Sequence, residues 1–252
     1  YLQNIPFGVT GDFIIQNYHE EKRKYEGKSL LIVGGGPSAI DVELANISTD
    51  YVWASNNFFL NEKLSNIKLD ALAVTPYMDI LSNDKLISFL DNNPQTKIFF
   101  ETERGDYEKD WQDMQNFIIE KPSQSFLYGT RYRSKIGITP RQICLAIFLG
   151  FKDIYVVGFD GVSKAEERHA FENKKELPDW FTRRRTNDGK SDLGRPTKEH
   201  QLAIFHESVQ FIQFWNYMIK LGNRFNFNLI NLGEKYRYNI SSEITKWLKS
   251  YN

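Results

Sequence analysis

A single cysteine, Cys144, among 252 residues excludes an internal disulfide. It lies in an apolar stretch and reads as a small core residue rather than a nucleophile. Charge excess is lacking too. The 32 Lys and Arg balance the 32 Asp and Glu, which leaves no general electrostatic footprint for nucleic acid. There is no apolar run of membrane-spanning length and no signal-peptide pattern, so a cytoplasmic protein is expected, with peripheral association at the inner membrane face left open. The four histidines, His19, His169, His200 and His206, show no metal-ligand spacing, and no D-x-D pair occurs, so no resident metal or cofactor is expected. Two apparent phosphate loops fail. EGKS at 26–29 and DGKS at 188–191 would need glycine where Lys22 and Arg184 stand.

What is present suits one globular domain over 1–252: 41% hydrophobic and 25% charged residues. Residues 12–25 read as a lead-in helix within a lead-in segment 1–27, and 29–33 as a buried strand. A helix follows at 37–46 and a second strand at 51–55. Strands at 69–76, 96–101, 125–129 and 153–160 alternate with helices at 83–92, 107–120 and 139–150. Such alternation argues for a doubly wound, mostly parallel α/β sheet. Residues 161–198 break the pattern and read as a lid-like loop, with Arg183, Arg184 and Arg185 in it. In a helix at 200–221, Leu202, Phe205, Val209, Ile212, Asn216 and Ile219 follow helical spacing with Trp215 beside them, and Gly222 is its expected stop. A last strand at 227–232 and a closing helix at 242–251 complete a helical C-terminal part.

The chemistry concentrates at 29–57. Gly34, Gly35 and Gly36 follow the first strand, and Pro37 and Ser38 open the helix. Gly34, Gly36 and Ala39 fit G-x-G-x-x-A, whose backbone N–H groups can approach a phosphate. The alternative is a tight turn without a ligand. A dinucleotide site also wants an acid at the end of the second strand for the ribose. Here Asn56 and Asn57 stand there, which counts against NAD and FAD and leaves paired donors and acceptors for a base or ribose, or plain turn chemistry. Thr139 reads as an N-cap with Pro140 at the first helical position, which would put Arg141 at the positive end of a helix as a second anion site. The other reading of that arginine is an ordinary solvated one. Asp160, after Gly158, ends a strand where sheet ligands sit, and is either a site acid or a turn cap. A base with a pKa near neutrality would come from His206, His200 or His169.

These residues resemble a family. GGGPS at 34–38, WASNNFF at 53–59, the block ITPRQICLAIFLGFKDIYVVGFD at 138–160 and, loosely, HAFENKK at 169–175 are similar to segments of the bacterial CMP-sialic acid-dependent sialyltransferases. They are similar also to motility-associated glycosyltransferases and to archaeal pterin diphosphokinase-like proteins. The resemblance covers about half of the chain, and the 138–160 block is its most specific part.

The resemblance implies a Rossmann-like sheet binding a CMP-sugar without metal. It implies Gly36, Pro37 and Ser38 near the phosphate or ribose, Asn56 facing the nucleotide, Thr139 near the donor, and His206 or His200 as general base toward a glycan or glycoprotein acceptor hydroxyl. Where the sialyltransferases follow the threonine with Ser-Gly, Pro140 and Arg141 stand here, which changes the donor subsite, so the sugar need not be sialic acid itself; an Arg141 pairing with a carboxylate would preserve an acidic sugar, sialic-acid-like or Kdo-like. The residues leave acceptor, linkage and oligomeric state open. Rival readings are an ATP- and magnesium-dependent diphosphokinase, a non-catalytic nucleotide-binding domain of a surface-glycan assembly protein, and a flavin or nicotinamide oxidoreductase.

Overall fold

Short runs of β-branched and aromatic residues become strands here because both faces of the sheet are covered. The computed structural model describes residues 7–10, 13–36, 38–61, 64, 67–74, 83–101, 108–130, 137–159 and 198–233. The strands are β1 (Phe7–Thr10), β2 (Phe13–Gln16), β3 (Ser29–Val33), β4 (Tyr51–Ser55), β5 (Ala71–Val74), β6 (Lys97–Glu101), β7 (Ser125–Thr130), β8 (Asp153–Val157) and β9 (Asn228–Asn231). The helices are α1 (Tyr18–Tyr25), α2 (Ser38–Asp41), α3 (Asp84–Asn92), α4 (Glu108–Glu120), α5 (Thr139–Phe148) and α6 (Lys198–Phe225). One nine-stranded sheet runs in the order β1-β2-β7-β6-β5-β4-β3-β8-β9. The β1–β2 and β2–β7 pairs are antiparallel and the others parallel. The fold is a Rossmann-like, doubly wound α/β architecture.

The period of two sorts the core onto two faces. Leu30, Ile32, Trp53, Ala71, Ala73, Phe99, Phe126, Tyr128, Ile154 and Val156 face α1, α5 and α6. Leu31, Val33, Ala54, Leu72, Val74, Ile98, Phe100, Leu127 and Val157 face α2, α3 and α4. On the first face, β5 offers only Ala71 and Ala73. Their small side chains let Trp53 of β4 and Phe99 of β6 meet over β5, ring centroids 5.0 Å apart and edge to face.

Four local expectations are corrected. The lead-in helix begins at Tyr18. Phe13–Gln16 instead joins the sheet edge as β2, where pairing with β7 outweighs local preference. The helix expected at 37–46 is broken into α2 and a 3-10 turn at Leu44–Asn46. Ala39 and Leu44 both bury on the sheet, yet in an unbroken helix five residues turn about 140°, so the break lets both face inward. Among the described residues of α6, Phe211, Phe214, Trp215, Met218 and Gly222 are buried, whereas Asn216 and Ile219 of the expected stripe are exposed, Ile219 by 38%. The bulk of Phe211, Phe214 and Trp215, gathered around Phe159, fixes which face turns inward. Gly222 does not stop α6, which continues to Phe225. A Cβ there would stand 2.7 Å from the Phe227 carbonyl oxygen, so this glycine serves close packing. The lid at 161–197 and the closing helix at 242–251 lie outside the described residues.

Candidate functional site

The strand order reverses beside β3, which has β4 on one side and β8 on the other. In open α/β sheets the crevice outside the carboxyl ends of the strands at such a point is where ligands bind. Here the exits of β3 and β8 are interlocked. Gly34 N–H donates to Val157 O at 2.8 Å and Gly36 N–H to Gly158 O at 2.7 Å. Gly158, at φ +68°, donates its own N–H to Ser38 Oγ at 2.7 Å. The glycine turn is therefore shaped first by backbone-to-backbone contact. Ser38 is buried and engaged with Gly158, and α2 is a single turn. Among the described residues, the Gly35 N–H donates to no backbone carbonyl. Pro37 and Asp160 lie outside the described residues.

α5 supplies the wall above this floor. Its N-cap is Ile138, with no side-chain cap, so Thr139 is not the cap as expected; it is the first helical residue, with Pro140 following. The Thr139 hydroxyl instead faces the β3 exit, 3.0 Å from where a Cβ on Gly34 would stand. Gln142, one turn on, accepts from Ser55 Oγ at 2.6 Å through Oε1 and donates to Ala54 O at 2.8 Å through Nε2. Its neighbour Arg141, the residue expected to meet an incoming anion or to be solvated, is 2% exposed, and its Nη1 donates to Glu101 Oε2 at 2.6 Å. Glu101 is equally buried at the end of β6. Tyr128 lies close to the pair and is fully buried, and its hydroxyl has no hydrogen-bond partner among the described residues. Burial, with the Glu101 carboxylate second, pushes that phenol well above its ordinary pKa. Cys144 is buried and its thiol is pushed up to about 12 by desolvation, which leaves it inert as a nucleophile.

Asn56 leaves β4 with φ +49°, a left-handed conformation that asparagine tolerates better than most residues. It opens a 3-10 turn over Asn56–Leu60, in which Asn56 and Asn57 stay half-buried while Phe58 and Phe59 anchor below. On the other flank, Phe159 meets Phe211 with ring centroids 4.6 Å apart, just beyond the end of β8. From Phe211 toward its N-terminus α6 continues past the carboxyl edge of the sheet. At 1.5 Å per residue, position 206 lies about 7 Å farther out and position 200 about 16 Å. By helical register, position 200 shares the face of Phe211 and Trp215, and position 206 lies about 140° round from it. His169 is outside the described residues.

The structure brings Gly34, Gly36, Ser38, Thr139 and Gly158 together at the exits of β3 and β8, with Asn56 at the adjoining exit of β4 and Arg141 buried on α5. The sequence reading missed Gln142, Ser55, Glu101 and Tyr128. A glutamine one turn inside an otherwise apolar helix, and a glutamate closing the apolar strand KIFFE, were the available signals. Among the described residues, no group of three or more His, Cys, Asp or Glu could hold a metal ion, and no helix is long and apolar enough to cross a membrane.

No protein-family model and no curated protein sequence matches the chain. Solved structures do. The sialyltransferase CstII from Campylobacter jejuni, in complex with the substrate analogue cytidine-5'-monophosphate, is similar at 16% identity over 82% of this chain and 81% of that one, with a TM-score of 0.51. The monofunctional alpha-2,3-sialyltransferase Cst-I from Campylobacter jejuni is similar at 16% identity over 82% and 76%, with a TM-score of 0.53. CstII with the substrate analogue CMP-3FNeuAc is similar at 17% identity over 81% of each chain, with a TM-score of 0.50. At such identities the likeness is one of architecture: the chain has the α/β fold of these sialyltransferases.

Proposed function

We propose that the protein is a metal-independent glycosyltransferase that moves a sugar from a CMP donor to a hydroxyl of a glycan or protein acceptor; an acidic, sialic-acid-like or Kdo-like sugar rests on the family resemblance alone, since Arg141 is committed to Glu101. One observation carries the reading. At the switch-point crevice, the end of β4 presents a left-handed asparagine, Asn56, where a dinucleotide site would hold a ribose-binding acid. The fold shared with two sialyltransferases supports it.

In the proposed reaction the acceptor oxygen attacks the anomeric carbon as the bond from that carbon to the phosphate oxygen breaks and CMP departs. The sugar passes through an oxocarbenium-like state. The Gly35 N–H and the uncapped N-terminus of α5 are suited to the charge that grows on the phosphate. Asn56 and Asn57 are offered to the nucleoside. His206 or His200, carried beyond the sheet by α6, would take the acceptor proton.

A thermal-shift panel of CMP, CDP, UDP, GDP, ATP and NAD, each with and without magnesium, tests this. A ligand at about 100 times its Kd adds roughly 2.7 kcal/mol to stability. CMP should raise Tm with EDTA present. A shift with ATP and magnesium alone would instead support a diphosphokinase, and no shift with CMP would sink the proposal.

A further inference from the structure

Gln142 joins two parts of the crevice that the chain itself leaves 87 residues apart. Both ends of one planar amide are spent on consecutive residues of β4: Oε1 on the Ser55 hydroxyl and Nε2 on the Ala54 carbonyl. All three residues are buried, so neither bond competes with water. The very next residue changes conformation. Ser55 is extended at φ −123° and ψ 135°, and Asn56 is left-handed at φ +49°. A left-handed non-glycine residue is disfavoured and persists where its surroundings hold it.

Gln142 has a firm base from which to hold this turn. Its neighbour Arg141 is bound to Glu101 on β6, and β4 and β6 flank β5. The first turn of α5 therefore grips the sheet on both sides of β5. It does so beside Thr139, whose hydroxyl faces the β3 exit.

We propose that Gln142 is a positioning residue for nucleotide recognition. It fixes the β4 exit so that Asn56 and Asn57 meet the ligand in one geometry, and it ties the asparagine side of the crevice to the Thr139 side. The ligand's identity as a CMP nucleotide rests on the function proposed above, whereas the fixing of the turn does not.

The test uses the full chain and three variants. Gln142→Met keeps the shape and loses both bonds. Ser55→Ala loses one bond with little change in volume. Thr96→Ala is the control. It removes another buried hydroxyl-to-carbonyl bond, Thr96 Oγ1 to Leu69 O at 2.9 Å, at the opposite end of the strands. Amide hydrogen exchange over 55–61 is read without ligand, and CMP affinity by calorimetry. Gln142→Met should speed exchange at Asn56–Leu60 and weaken CMP binding, each by about tenfold or more, and Ser55→Ala should move both the same way by less. Thr96→Ala should lower Tm and leave both readings unchanged. A folded Gln142→Met or Ser55→Ala protein with unaltered exchange overturns the proposal, as does a Thr96→Ala protein that loses as much CMP affinity. Should Gln142→Met not fold, Ser55→Ala decides. Should the unaltered protein not bind CMP, the CMP reading falls, and the exchange arm still decides whether Gln142 holds the turn.

Discussion

Gly34 and Gly158 occupy each other's side-chain space: a Cβ on Gly34 would stand 2.5 Å from the Gly158 carbonyl oxygen, and one on Gly158 would strike the Gly34 carbonyl. Neither neighbour is the flexible end of a side chain, so neither can give way cheaply. Gly34→Ala should destabilise by about 3 kcal/mol or abolish soluble expression, and Gly158→Ala, at φ +68°, should do at least as much. Urea unfolding midpoints check this, and a Gly34→Ala protein as stable as its parent would contradict the interlock.

The Arg141–Glu101 pair gives the second prediction. With both partners 2% exposed, Glu101→Gln removes the carboxylate charge that Arg141 Nη1 meets at 2.6 Å in a buried setting and should cost about 3 kcal/mol. Arg141→Met, Glu101→Leu and the two together complete a cycle, in which the double variant should lose less than the sum of the two single losses, because each single variant leaves one charge of the pair without the other. A double-mutant cycle on chemical denaturation measures the coupling, and simple additivity would show the pair to be energetically idle.

Asn56 separates turn chemistry from ligand binding. Asn56→Gly should cost less stability than Asn56→Ala by about 1 kcal/mol, since both lose the carboxamide and glycine alone adopts the left-handed region freely. On the proposed function both variants lose CMP affinity, because both lose the carboxamide. Calorimetry that finds CMP bound as tightly by Asn56→Gly would leave this residue a turn former and nothing more.

Asp70 makes stability depend on pH away from the crevice. Burial raises its pKa above 3.8, against the bond it accepts from Val52 N–H at 2.8 Å and the nearby Lys24 and Lys68. A raised folded value means that the folded state binds the proton more tightly than the unfolded one. This contribution therefore favours folding most at acid pH and declines as pH climbs from the unfolded value through the folded one. Asp70→Asn can accept the same Val52 bond without a charge. It should hold or increase stability at pH 7 and flatten this part of the pH profile, as thermal melts between pH 3 and pH 7 would show. A large loss at pH 7 would contradict the assignment.

For the proposed chemistry, His206→Ala and His200→Ala should separate. Loss of the general base lowers kcat by about 10²–10⁴-fold, with residual turnover from positioning and charge stabilisation. The other histidine should change kcat little. Both variants turning over at the parent rate would remove these histidines from the mechanism.

Much of the fold was legible because it is local. Ser29–Val33 and Tyr51–Ser55 are strands at the expected residues, since short apolar runs bounded by turns carry their own limits. Phe13–Gln16 was not legible, because the charged helical run beginning at Tyr18 dominates that window, and the strand is held between its hairpin partner β1 and the distant β7, more than a hundred residues on. The glycine turn and its asparagines were visible, but what shapes them was not. Ser55 meets Gln142 and Glu101 meets Arg141 only once the sheet has formed. On α6 the expected spacing did not show that Asn216 and Ile219 stay exposed while Phe211 and Phe214 bury, because contact with Phe159 is a tertiary fact.

The length of α6 has a mechanical consequence. Phe211 is held against Phe159, and the 13 residues before it form a straight arm about 20 Å long. A tilt of about 5° at that fulcrum swings the far end by nearly 2 Å, on the order of the misplacement that costs a reaction a hundredfold. Phe159 thus sits at the fulcrum, and trimming its side chain is expected to shift the outer end of α6 and whatever the arm carries.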